Sequence, residues 1–208
     1  MIDPTTLATY LVIALGFAFL PGPAMLLTLA RATSSGTRTG IATGLGIAVG
    51  DLIHTAMAVL GISAVILASA FVFSLIKYLG AAYLVYLGVR AILAKADPSL
   101  SVPASLTTPT GAFRQAIITE VLNPKSALFF LALLPQFVQP ENGLVALQLT
   151  TLGALYVLLG LFSTVVVALV AGQVGTFLRR HPAVMRRQGK AVGSLYCLLG
   201  VHLALHEK

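Results

Sequence analysis

Charge is what this sequence has least of. Only 9% of its 208 residues are Asp, Glu, Lys or Arg, against about 25% in soluble domains. Hydrophobic residues make up 58%, and the mean hydropathy is +0.96. This excludes a soluble globular domain, and with it the soluble basic surface that a nucleic-acid role would need. The net charge of +7 therefore needs another explanation. The single cysteine, Cys197, excludes a disulfide framework or dithiol redox pair within one chain, and its apolar surroundings mark it as a small core residue. Met1 to Thr6 offers Asp3 and no basic residue, and the apolar run that follows is too long for a cleaved signal, so the first segment is expected to be retained. Enzyme signatures are missing too. There is no H-E-x-x-H motif, Asp51 and Glu120 form no evident catalytic pair, and Gly193 with Ser194 makes no nucleophile elbow.

What is present is long apolar sequence. Neither Pro4 to Ala30 nor Asn142 to Leu178 contains a charge, and about 20 apolar residues span a bilayer. Charges and turn residues divide the chain into six expected spans: Thr5 to Ala32, Thr39 to Ala68, Phe71 to Leu93, Ala112 to Val138, Leu144 to Phe177 and Ala191 to Leu205. The boundary between the second and third rests on Ser69, Ser74 and combined length. Asp97 to Thr110, rich in Pro, Ser and Thr, is the one linker-like stretch. The expected fold is thus a single all-α transmembrane domain over 1–208, with repeat 1 at about 1–96, a linker at about 97–110 and repeat 2 at about 111–208.

The basic residues sort by side. Arg31, Arg38, Arg90, Lys95, Arg114, Arg179, Arg180, Arg186, Arg187 and Lys190 fall near loops 1-2, 3-4 and 5-6, leaving Lys77 and Lys208 for the opposite side. Short basic loops stay in the cytoplasm, which puts both termini outside and reads the net charge as a topology signal. Residues 179–190 carry that signal rather than a lipid site.

Two spans contain helix breakers. Pro21, Gly22 and Pro23 interrupt the first, and Asn123, Pro124 and Lys125 interrupt the fourth, with 101 residues from Pro23 to Pro124. Gly22 and Asn123 are permitted N-caps, and Pro at the first helical position loses an N–H that had no partner. Each span is therefore expected to be two half-helices. Pro23 lies eight residues before Arg31 and Pro124 ten after Arg114. At about 1.5 Å per residue both breaks fall near the midplane of a core about 30 Å thick. Freed backbone groups must be satisfied inside protein or in a watery cavity, so these residues should avoid lipid. Three spans per half reverse the second half, which is the arrangement of inverted-repeat transporters with broken helices at the substrate site.

Asp51 and His54, at i and i+3, share a face of the second span. An intramembrane acid is normally turned inward, paired or protonated, which makes Asp51 the best candidate for a reversible proton carrier. A static pairing with His54 or Lys125 is the competing expectation. Glu120 and Lys125 bracket the second break, and Lys125 could attract a substrate carboxylate or neutralise an acid. His202 and His206 are interfacial rather than metal ligands. Gly36, Gly40 and Gly44, and Gly46 and Gly50, recur every four residues and give the second span small faces, which could close the monomer core or join two copies. Tyr83 and Tyr86 could line a cavity or anchor at an interface.

PGPAMLLTLARATSSGTRTGIATGLGIAVGD, LGAAYLVYLGVRA and EVLNPKSALFFLALLPQFV, in that order over nearly the whole chain, resemble the signatures of the LysE/RhtB family of bacterial amino-acid exporters. The resemblance implies a multi-pass inner-membrane protein that exports amino acids or close derivatives, driven by the proton motive force, with no cofactor. It points to Pro21, Gly22 and Pro23, to Asp51, and to Asn123, Pro124 and Lys125. Substrate site residues are then Pro21, Gly22, Pro23, Asn123, Pro124 and Lys125, with Asp51, His54 and Glu120 coupling protons. The partners are a small-molecule substrate, protons and the lipid bilayer. The alternative is a metal-ion or other cation exporter that uses Asp51, His54 and Glu120 as ligands.

Overall fold

The computed structural model describes residues 2–62, 70–93, 106–180 and 182–205, with side chains at 62, 70, 73 and 174–189 left out. The expected boundary at Ser69, most of the linker, Lys95, His206, Lys208 and the side chains of Arg179, Arg180, Arg186 and Arg187 lie outside the described residues. All regular structure described is helical. α1 is Pro4–Phe19, α2 Pro23–Ser35, α3 Thr37–Met57, α4 Ala70–Leu93, α5 Pro109–Val121, α6 Pro124–Leu128, α7 Val145–Arg180 and α8 Pro182–Leu205. Wider π turns at Ala58–Ile62 and Phe129–Leu133 continue α3 and α6.

Both breaks are where local chemistry places them. Leu20, held extended before Pro21, ends α1, and extended Gly22 precedes Pro23 at the first position of α2. Asn123 is likewise extended before Pro124, and its side chain caps α6. The bends are 49° between α1 and α2 and 46° between α5 and the segment 124–137. Beyond α2, Gly36 at φ 87° takes the left-handed region that admits glycine most readily, so α3 begins one residue later. The turn is tighter than the expected gap between Ala32 and Thr39.

Among the described residues three helices are long and apolar enough to cross a membrane, at Thr37–Gly61, Ser74–Leu93 and Val145–Gln173, and counting each bent pair as one span makes five. The sixth expected span falls in α8, whose apolar part, Lys190–Leu205, stops short of the test for a full crossing. Exposed large apolar side chains such as Val12, Leu60, Phe71, Leu79 and Leu158 face outward, as lipid contact requires. The helices pair in an inverted-repeat-like manner. α2 of the first half lies on α7 of the second, α5 of the second lies on α3 of the first, and α3 meets α7 as α4 meets α8.

The small faces of α3 are used within the chain. A Cβ at Gly44 would stand 2.6 Å from Thr164 Oγ1 on α7, and one at Gly50 2.5 Å from Glu120 Cβ on α5. A second copy would therefore have to use another surface. Cys197 packs in the α4–α8 seam, where a Cβ at Gly88 would meet its Sγ at 2.5 Å. Tyr83 and Tyr86 contact each other and are exposed on α4, away from the centre of the bundle.

At one end of the bundle Asp3 caps α1, accepting from the Thr5 and Thr6 N–H groups at 3.0 and 2.9 Å and from Gln139 Nε2. Gln139 is held in turn by Gln148, which accepts from its N–H at 2.9 Å and donates to its carbonyl at 2.8 Å. The bonds from Thr6 first, then Gln139, hold the Asp3 carboxyl down at about 2, below its ordinary 3.8. A depressed folded-state value stabilises fully above the ordinary value and is lost as pH falls through the folded one. Melting scans in detergent should therefore show a loss of stability between about pH 4 and pH 2. Asp3→Asn should remove that component; an identical acid limb in both proteins would refute the assignment. At the other end Arg31, expected near a loop, is buried and donates from Nη2 to Gln115 Oε1 at 2.5 Å, because α2 continues to Ser35 and carries it against α5.

Candidate functional site

The fold brings the two breaks and the acidic face of α3 to one place. Asp51 and Glu120 are each only 2% exposed. The Asp51 carboxyl lies within hydrogen-bonding reach of that of Glu120. Glu120 is rich in donors: Asn123 Nδ2 donates to its two oxygens at 3.4 and 3.2 Å, and Ser126 Oγ donates to Oε1. Asp51 is poor in them, since its Oδ1 is buried with no hydrogen-bond partner among the described residues. Its Oδ2 faces Gly160, where an added Cβ would stand 3.3 Å away. A buried unpartnered carboxylate oxygen is costly unless it holds a proton or waits for a ligand.

His54 is in the same cluster, but among the described residues it hydrogen-bonds neither carboxyl. Its Nε2 donates to the backbone carbonyl of Glu120 at 3.0 Å, and its ring stacks on Phe130 at 5.5 Å and 12°. It thus holds the last turn of α5, and with it Glu120, against α3. Asp51, His54 and Glu120, the ligands of the cation-exporter alternative, do not form a metal set, and no set of three His, Cys, Asp or Glu suited to a metal occurs among the described residues.

Lys125 has a partner that charge counting did not suggest. Its Nζ donates to the carbonyls of Phe17 and Leu20 at 2.8 and 2.7 Å, and lies 4.9 Å from the centre of the Phe17 ring. These carbonyls belong to the broken end of α1, where intrahelical partners run out and the helix dipole is negative. Hydrogen bonds to a charged group contribute about 1.5 to 3 kcal/mol each, so the second half of the chain stabilises the first half's break. Ser163 Oγ on α7 takes the carbonyl of Ala18 at 2.9 Å. A Cβ at Gly22 would meet Lys125 Cδ at 3.0 Å, so glycine lets the lysine stem pass.

Pro21 and Gly22 are half-buried, whereas Pro23 and Pro124 are exposed, contrary to the expectation that the breaks turn wholly inward. Proline has no N–H to satisfy, so its exposure at a helix start leaves no donor stranded. The two helix starts also differ. Asn123 Oδ1 accepts from the Lys125 N–H at 3.1 Å, whereas Gly22 offers α2 no side-chain cap, leaving the first-turn N–H groups without one.

Between these groups lies a cavity of about 30 Å³. It holds roughly two waters, where ligand sites run to about 300 Å³ or more. Asp51, Glu120, Asn123, Lys125, Ser126, Tyr156 and Thr164 form its polar wall, and Ala18, Ala24, Met25 and Ile47 its apolar wall. Sequence reasoning did not single out Ser126, Tyr156, Gly160, Ser163 or Thr164. The signal available was Ser163 and Thr164, a polar pair inside the charge-free run from 142 to 178.

Residues 15–207 match the family described as LysE type translocator. Similar proteins include a membrane protein of Vibrio cholerae, 31% identical over 94% of both chains. The homoserine/homoserine lactone efflux protein of Salmonella typhimurium is 29% identical over 94% of both. The leucine efflux protein of Salmonella choleraesuis is 32% identical over 69% of both. No solved structure matches the chain.

Proposed function

The chain belongs to the LysE type translocator family and is a membrane-embedded small-molecule exporter, a multi-pass inner-membrane protein and not an enzyme; on that premise we propose that it exports amino acids or amino-acid derivatives by secondary active proton antiport. The observation that carries this reading is the unpartnered Asp51 oxygen in a cavity between two helix breaks. The substrate's ammonium group meets Asp51. Its carboxylate meets the uncapped first turn of α2 beside Gly22 and Pro23, where Ala24 and Met25 line the cavity and partial positive charge collects. Asn123, Pro124 and Lys125 form the opposite side of the same site.

The proton is assigned to Asp51, because Glu120 already accepts from Asn123 and Ser126 while Asp51 Oδ1 accepts from no donor among the described residues. Protonation of Asp51 from outside neutralises the partner of the ammonium and favours release outward. Deprotonation toward the cytoplasm resets the carrier, and His54 keeps Glu120 in place throughout. The cavity is too small for a substrate, so the conformation is read as occluded. Transport is read as proceeding on six spans in two inverted three-helix repeats, with both termini outside. The matched bends of 49° and 46° support that arrangement.

Names of similar proteins include homoserine, homoserine lactone and leucine, which fits a small neutral amino compound. Cells expressing the protein and fed a peptide mixture should accumulate one amino acid, or a small group of them, in the medium above the level of cells without it. An unchanged profile for every amino acid and derivative measured would overturn the reading.

A further inference from the structure

Among the described residues Lys125 is the one ammonium on the cavity wall, yet its Nζ bonds to the broken end of α1 rather than to the two acids. Its charge nevertheless acts on both Asp51 and Glu120. The wall thus holds two carboxyls and one ammonium. With one proton on the acid pair, the site is neutral and Lys125 can stay on the α1 carbonyls. Without it, the pair carries two negative charges and competes with those carbonyls for the same ammonium.

We propose that Lys125 is a positioning residue that straps the end of α1 while the acid pair holds a proton and moves onto the pair when that proton leaves, freeing the first break to change angle. This deepens the exporter reading above and rests on it. The step is a proton loss alone: a carboxyl O–H gives its proton to cavity water, and Lys125 exchanges two carbonyl acceptors for carboxylate acceptors. The other groups that face the pair are His54 on α3, which is bonded to the Glu120 carbonyl, Tyr156 on α7 and, farther off, Tyr10 on α1. Arg31 on α2 is held at Gln115. Tyr10 donates to the Leu152 carbonyl at 2.6 Å and Ser163 to the Ala18 carbonyl at 2.9 Å, which anchor α1 to α7 up to the break and leave α2 as the half whose angle can change.

Glycine at position 22 belongs to the same device. A methyl group there meets the lysine stem at 3.0 Å, and the flexible stem gives way. Gly22→Ala should therefore loosen the strap without touching either acid.

The test places spin labels at exposed Val12 and Leu26, on either side of the first break, in full-length protein with Cys197→Ala, and measures their separation in lipid as pH is varied. The otherwise unchanged chain should show a pH-dependent change in separation. Lys125→Gln should lose it, Lys125→Arg should retain it, and Gly22→Ala should weaken it. A Lys125→Gln protein with the same pH-dependent change, or no change in the parent at any pH, would overturn the proposal. Should Lys125→Gln fail to fold, a Gly22→Ala protein indistinguishable from the parent would overturn it equally. The readout uses no substrate, so a pH-dependent hinge in a protein that exports no amino compound would refute the exporter reading and leave the strap standing.

Discussion

Asp51→Asn is expected to abolish proton-driven export while leaving the protein folded. Asparagine has nearly the volume of aspartate, and the site is packed around Gly160 and Glu120 so closely that shape must be kept. An amide can donate to Glu120 as a protonated Asp51 would, so the folded chain keeps its contact. It can neither release a proton nor offer a negative oxygen to an ammonium group. The lost hydrogen bond to a charged partner alone contributes about 1.5 to 3 kcal/mol, which is a roughly 10- to 150-fold weaker hold on the ammonium group, and without a titrating oxygen the coupling to protons is lost altogether. Asp51→Glu should restore part of the activity, since it keeps the titrating group and strains only the packing against Gly160. Proteoliposomes with the gradient imposed would give both numbers, and wild-type rates in Asp51→Asn would remove Asp51 from the mechanism.

The second large effect is on stability. Gly46→Val should cost about 1 to 3 kcal/mol, the usual result of forcing methyl groups into a filled interior. An added Cβ at Gly46 would run into the Phe113 backbone carbonyl and stand 2.8 Å from Ala116 Cβ. Both neighbours are on α5, and a backbone carbonyl cannot swing aside as a lysine stem can. Separating α3 from α5 would also part Asp51 from Glu120, so activity should fall with stability. The control is Gly16→Ala, where nothing lies within 4 Å of the new methyl group. That change should be neutral or slightly stabilising, because alanine is the better helix former. Thermal unfolding in detergent separates the cases, and equal melting temperatures for the two variants would contradict the packing described.

Much of this was readable from local chemistry. Pro23 and Pro124 mark helix starts because a missing N–H and a fixed φ act on the residues beside them, whatever the rest of the chain does. Gly44 and Gly50 could be read as contact faces from their spacing, and Asp51 as inward-facing from the cost of a charge in lipid. What stayed hidden depends on which distant segments meet. Ser163 reaches Ala18 across 145 residues, and nothing near either position announces the other. Lys125 was paired in expectation with an acid or a substrate, since both are charges visible in sequence. The Phe17 carbonyl lacks its usual helical donor because Pro21 has no N–H, keeping a 3.2 Å bond from the Leu20 N–H, and the Leu20 carbonyl lies just past the end of α1. Arg31 fits a basic loop by count, yet the tight turn at Gly36 lengthens α2 and draws Arg31 inside.

The most direct test of the central claim follows protons and amino compounds together in one preparation. Purified full-length protein would be reconstituted into liposomes that contain a mixture of amino acids and a pH-sensitive dye, and exit of each compound would be recorded with internal pH. The account predicts that a selected amino acid leaves, that its exit acidifies the lumen, and that both signals vanish together in Asp51→Asn. Selective exit with no proton entry, or no selective exit under any gradient, would contradict it.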